Sequence, residues 1–74
     1  MMQSIGKYLT ADQFTDTIWQ VNSKRHGDLL GMIDWEKKWK CYEFQPEHAT
    51  GFDAECLRDI ANFLEELTNE TPPD

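Results

Sequence analysis

Basic residues are scarce in this chain: 7 Lys and Arg stand against 14 Asp and Glu, a formal net charge of −7 at neutral pH. That sign disfavours bulk attraction to DNA, RNA or an anionic membrane. Glycine is sparse too, and Gly6, Gly27, Gly31 and Gly51 stand singly, so there is no glycine-rich loop to cradle a phosphate. The two cysteines, Cys41 and Cys56, lack the close paired spacing of metal ligands, and adding His48 does not make a convincing four-ligand zinc site. No stretch approaches the roughly 20 apolar residues of a membrane span. The opening MMQSIGKYLTADQ lacks the continuous apolar segment and small-residue cleavage site of a signal peptide. A cytoplasmic location is the resulting expectation, with Cys41 and Cys56 as reduced, small buried hydrophobes. Neither His26 nor His48 has a Cys or Ser at a telling spacing, so no proton-transfer pair is recognisable. The chain is therefore expected to be no enzyme and to hold no metal or cofactor.

What the sequence does have is apolar and aromatic content. In 74 residues, 39% are hydrophobic and 12% aromatic, including three Trp and four Phe, which is too rich for a disordered chain. One small domain over residues 1–67 is expected, with residues 68–74, which include Pro72 and Pro73, as a mobile tail. Ordering such a chain costs on the order of 100 kcal/mol, which apolar burial only just offsets. A partner or a second copy of the chain would ease that balance.

Two segments read as helices. Thr10 suits an N-cap with Gln13 at the third helical position, and Leu9 with Phe14 occupies the positions of a hydrophobic staple. Ala11, Phe14, Ile18 and Val21 then recur at helical spacing, while Lys24, Arg25 and His26 followed by Gly27 read as a C-terminal turn and cap. The second helix begins at Thr50 or Asp53 and buries Cys56, Leu57, Ile60, Phe63, Leu64 and Leu67, the strongest periodic signal in the chain. Between them, Leu29 to Phe44 alternates with period two and reads as a hairpin. Setting Trp35 opposite Trp39 pairs Ile33 with Cys41, Met32 with Tyr42, Leu30 with Phe44 and Asp34 with Lys40. The resulting fold class is α+β, a two-layer helix-hairpin-helix (α-β-β-α) with an extra extended segment at Ser4 to Tyr8 as an option. Both helices would pack on the face bearing Leu30, Met32, Tyr42 and Phe44. Ile33, Trp35, Trp39 and Cys41 would then need cover from the N-terminal segment, a second subunit or a partner.

Functional expectations follow from two features. The run WEKKWK places Trp35 and Trp39 beside Lys37, Lys38 and Lys40 at the hairpin tip. Charge is also lopsided: residues 1–40 hold 5 acids and 6 bases, net +1, and residues 41–74 hold 9 acids and 1 base, net −8. The leading expectation is a small acidic protein-binding module, a modulator or inhibitor of another protein. Trp35, Trp39 and Tyr42, with Lys37 and Lys38, would supply contact area, and Glu55, Asp59, Glu65 and Glu66 would steer toward a basic surface. One alternative is a single-stranded nucleic-acid binder using aromatic stacking and the tip lysines. Another is a homodimer with Ile33, Trp35 and Trp39 in its seam.

The runs DLLGMIDWEKKWKCYEFQP and FDAECLRDIANFLEEL, roughly residues 28–67, resemble small accessory proteins encoded by phages and prophages. The resemblance is one of general style and transfers no functional residue. It implies a role in modulating a host or phage protein.

Overall fold

The computed structural model describes residues 2–70 and 73. Five strands, β1 (Met2–Ile5), β2 (Leu9–Gln13), β3 (Trp19–Ser23), β4 (Leu29–Glu36) and β5 (Cys41–Pro46), precede one helix, α1 (Ala54–Glu70). The strands form a single antiparallel meander in chain order. The architecture is thus a five-stranded sheet with one C-terminal helix, and the helix-hairpin-helix expectation is wrong in its first helix and in its strand count.

The first expected helix is instead the hairpin β2–β3. Its sequence alternates strictly, with Leu9 and Ala11 on one strand and Trp19 and Val21 on the other buried, and their neighbours less so. Ala11 and Val21, assigned to one helical stripe, are direct cross-strand partners. Phe14, assigned to that stripe as well, is 69% exposed in the connecting loop. Thr15, Asp16 and Thr17 bend the chain there, and the Thr17 N–H donates to Thr15 Oγ1. Hydroxyl turns of this kind compete with helix. The expected C-cap is real but caps an isolated turn: Gly27 has φ +76° and its N–H donates to Ser23 O at 2.7 Å.

The β4–β5 hairpin forms in a different register from the expected one. Trp35 pairs with Tyr42, Ile33 with Phe44, Asp34 with Glu43 and Glu36 with Cys41. This shift of three residues exchanges the faces of one strand relative to the other, because side chains alternate with period two. Ile33, Trp35, Tyr42 and Phe44 now share the inner face, so the predicted grouping of Met32 with Tyr42 and Phe44 fails, while Leu30, skipped in the register shift between β3 and β4, still packs against the core. The turn explains the error. Residues 37–40 make a four-residue loop, closed by the Lys40 N–H donating to Glu36 O at 2.8 Å, and Lys40 itself takes the left-handed conformation at φ 54°. Glycine or asparagine usually marks that position.

The second helix starts at Asp53, one of the two expected caps: the Cys56 N–H donates to Asp53 Oδ1 at 2.9 Å. Thr50 instead donates to Glu47 O in the preceding turn. The helix runs through Glu70, three residues beyond the boundary expected at 67, and residues 71, 72 and 74 of the expected tail lie outside the described residues.

Ile60, Phe63 and Leu67 point from α1 into a core completed by Ile5, Leu9, Ala11, Trp19, Val21, Ile33 and Tyr42. The helix comes within 8 Å, Cα to Cα, of both β5 and β1, the two edges of the sheet. A flat five-stranded sheet would hold its edges about 19 Å apart at a strand spacing near 4.8 Å. The sheet therefore curls around the helix. On one flank Asp59 lies by Gly6 and Glu66 by Gln3. On the other, Thr68 Oγ1 accepts a long 3.4 Å bond from the Tyr42 N–H while donating to Leu64 O. The helix thus lies antiparallel to both edge strands, while Met2, Gln3 and Ser4 of β1 stay exposed.

Candidate binding surfaces

The expected partner-binding residues do not form one site. Tyr42 is 4% exposed and stacks edge-on against the half-buried Trp35 at 5.1 Å, so both belong chiefly to the sheet's inner side. Trp39 stands apart in the β4–β5 turn and is 75% exposed, beside the exposed Lys37 and Lys38. Ile33 lies wholly within the core, so Ile33, Trp35 and Trp39 do not share a surface.

The helical carboxylates divide as well. Glu65 lines the flank that meets β5, with Cys41 and Tyr42. Asp59 and Glu66 line the opposite flank, along β1, and the exposed Glu55 lies in the first turn. Asp59 is half-buried and packs against Gly6, its carboxylate filling the space that a side chain at Gly6 would need, and the φ of +72° independently favours glycine there. Two clefts of about 210 and 230 Å3 follow the β1 flank and share Gln3, Phe63 and Glu66, so they form one groove. Beyond Glu66 the groove reaches Glu70, Asp16, Gln13 and Trp19. The sequence reading assigned none of these last four to a binding site.

A second feature missed by the sequence is the outer face of the sheet. None of the five strands contains Lys or Arg, and the acids Asp12, Asp34, Glu36 and Glu43 each follow an inner-face residue, Ala11, Ile33, Trp35 and Tyr42 respectively, so the alternation of the strands sets them on the outer face. Asp34 and Glu43 are direct cross-strand partners, an arrangement that like charges disfavour. Gln45 moderates it by donating from Nε2 to Glu43 Oε1 at 3.0 Å. Six of the seven bases sit in turns, namely Lys7, Lys24, Arg25, Lys37, Lys38 and Lys40, and only Arg58 is helical.

Titration shifts mark the helix cap. The Asp53 carboxyl is held below its ordinary range, first by the backbone N–H of Cys56 and then by its thiol. Burial, and then Asp53, push the Cys56 thiol up. Both cysteines are free. Among the described residues no group of three or more His, Cys, Asp or Glu is arranged to hold a metal ion. Nor is any helix long and apolar enough to cross a membrane. Comparisons with protein-family models, curated proteins and solved structures found no match to this chain.

Proposed function

We propose that the chain is a small acidic protein-binding module whose partner presents a basic surface. The observation that carries this reading is the segregation of charge. Glu55, Asp59, Glu65, Glu66 and Glu70 line α1 against the single base Arg58, and the groove beside β1 opens between that acidic flank and the sheet edge. Such a field steers encounter with a cationic partner and suppresses anionic ones. Binding rather than catalysis, in a reducing, cytoplasmic setting consistent with two free thiols, completes the reading. The resemblance to phage and prophage accessory proteins extends it to a modulator of a host or phage protein.

Affinity capture with the immobilised protein tests this. A discrete basic protein should be retained at low salt, released as salt rises, and lost with Glu65→Gln/Glu66→Gln. Retention indifferent to salt and to these charges would overturn the reading.

The exposed Trp39 beside three lysines supports nucleic acid as a second reading. In that case a labelled single-stranded oligonucleotide would bind at low salt and weaken with Lys37→Ala/Lys38→Ala. The absence of binding at low salt would remove it.

A further inference from the structure

At the end of the groove, Trp19 from β3 and Gln13 from β2 meet Phe63, Glu66 and Glu70 of the helix around the cleft of about 230 Å3, with Asp16 at its margin. Trp19 is nine-tenths buried, at 9% exposure, and packs edge-on against Phe63 with centroids 5.2 Å apart. Its indole N–H is the one buried side-chain polar group among the described residues with no hydrogen-bond partner. Leaving such a donor unmet is costly, so the site favours a ligand that brings an acceptor.

The surrounding charge asks for something else. Asp16, Glu66 and Glu70 line the cleft and no Lys or Arg does. The helix also ends here without a base in its last turn, so the negative pole of its dipole adds to the carboxylates. A bare cation would satisfy the charges and leave the indole unmet; a neutral amide would do the reverse. A peptide residue with a cationic side chain supplies both, since its main-chain carbonyl accepts and its side chain is positive.

We propose that this cleft receives an arginine or lysine residue from an extended segment of a partner protein, its carbonyl accepting from Trp19 Nε1 and its cation lying among Asp16, Glu66 and Glu70. This deepens the basic-partner reading and rests on it. The indole N–H is shielded in the free protein. Carbonyl access to Nε1 therefore requires a local side-chain movement on binding, and Gln13, exposed and directly across from Trp19 in the β2–β3 register, is the neighbour assigned to make it.

The test is titration of the 15N-labelled protein at about 0.1 M ionic strength, where the Debye length is about 10 Å, with the blocked peptide acetyl-Gly-Gly-Arg-Gly-Gly-amide, following the three indole resonances assigned with Trp35→Phe and Trp39→Phe. The Trp19 Nε1–H signal should move downfield and saturate, and replacing the arginine by norleucine should abolish saturation. Glu66→Gln/Glu70→Gln should weaken binding about fivefold, the scale of lost exposed ion pairs. Asp34→Asn/Glu43→Gln removes the same charge from the outer face and should leave the affinity within about twofold, because charges beyond a Debye length are screened. Equal weakening by the two double variants would show bulk attraction only and overturn the assignment. Shifts confined to the outer face or the hairpin tip would overturn the cleft while leaving the basic-partner reading in place. A peptide that shifts no resonance would overturn both.

Discussion

Replacing Gly31 by alanine separates the observed hairpin register from the expected one by the sign of its effect. Glycine inside a strand is ordinarily worse than alanine by about 0.5–1 kcal/mol, because it loses more chain entropy and packs nothing. In the expected register, with Gly31 across from Glu43, Gly31→Ala would therefore be neutral or stabilising. In the structure Gly31 lies opposite Pro46, and the ring of Phe44 lies over it. A methyl on Gly31 would sit 2.5 and 2.6 Å from Phe44 Cε1 and Cζ, and 2.7 Å from the carbonyl oxygen of Gln45. The ring has little room to retreat, since Phe44 packs edge-on against Phe52 at 5.3 Å. Overpacking of this kind costs about 1–3 kcal/mol. Net of the entropic gain, Gly31→Ala should destabilise by about 1–2 kcal/mol. Urea unfolding followed by tryptophan fluorescence will show the loss as a lower midpoint at unchanged slope. Adding Phe44→Leu removes the two ring atoms responsible but not the Gln45 carbonyl, so the double variant should be more stable than the sum of the single effects by about 1 kcal/mol. A stable Gly31→Ala variant, or strict additivity with Phe44→Leu, would refute the register and the packing drawn from it.

Three further outcomes follow from the same geometry. Lys40→Gly should raise stability by about 1 kcal/mol, the usual cost of a left-handed L-residue, and the midpoint of urea unfolding measures it. Phe63→Ala removes a ring that is 2% exposed and supports Trp19, and should cost about 3–5 kcal/mol. A chain of this length holds roughly 4–11 kcal/mol in all, so circular dichroism should find that variant partly or wholly unfolded at ambient temperature. At the helix cap the two shifts have opposite pH signs. The Asp53 contribution is present above the ordinary carboxylate pKa and is lost as pH falls through its lowered folded value. The Cys56 contribution is present below the ordinary thiol pKa and is lost as pH rises through its raised one. Alkylation by iodoacetamide near pH 8 should accordingly be slower at Cys56 in the folded chain than in urea, and Asp53→Ala should speed it.

The C-terminal helix was legible because several local signals agree there. Ile60, Phe63 and Leu67 carry the period, Asp53 caps, and Glu55 sits in the first turn. In residues 9–27 they disagreed. Ala11, Phe14, Ile18 and Val21 do fall at helical spacing, but Leu9, Ala11, Trp19 and Val21 alternate equally well, and β-branched threonines cluster at the bend between them. The decision belongs to tertiary pairing, since β2 and β3 are central strands whose neighbours β1 and β4 fix them in the sheet. In the β4–β5 hairpin the alternation was visible and the register was not. Register depends on loop length, and Lys40 occupies a left-handed position with no sequence mark.

The same distinction between local and nonlocal information governs the candidate site. Periodicity assigns Glu55, Asp59, Glu65 and Glu66 to the outer half of a helix, and that much could be read in advance. Which of them face a groove depends on where the sheet edges lie. Because the sheet curls, the helix has an edge strand on either side, and the carboxylates separate into a β5 flank with Glu65 and a β1 flank with Asp59, Glu66 and Glu70. Trp19 enters only through this curl. As a member of an isolated helix it would have flanked an apolar stripe, whereas at the start of β3 it packs against Phe63 of α1, with a buried, unmet indole donor, at a cleft lined by three carboxylates. The acidity of the helix is thus a property of sequence, while the choice of a cationic peptide residue over any other cation is a property of the fold, resting on one unmet donor that no linear pattern would reveal.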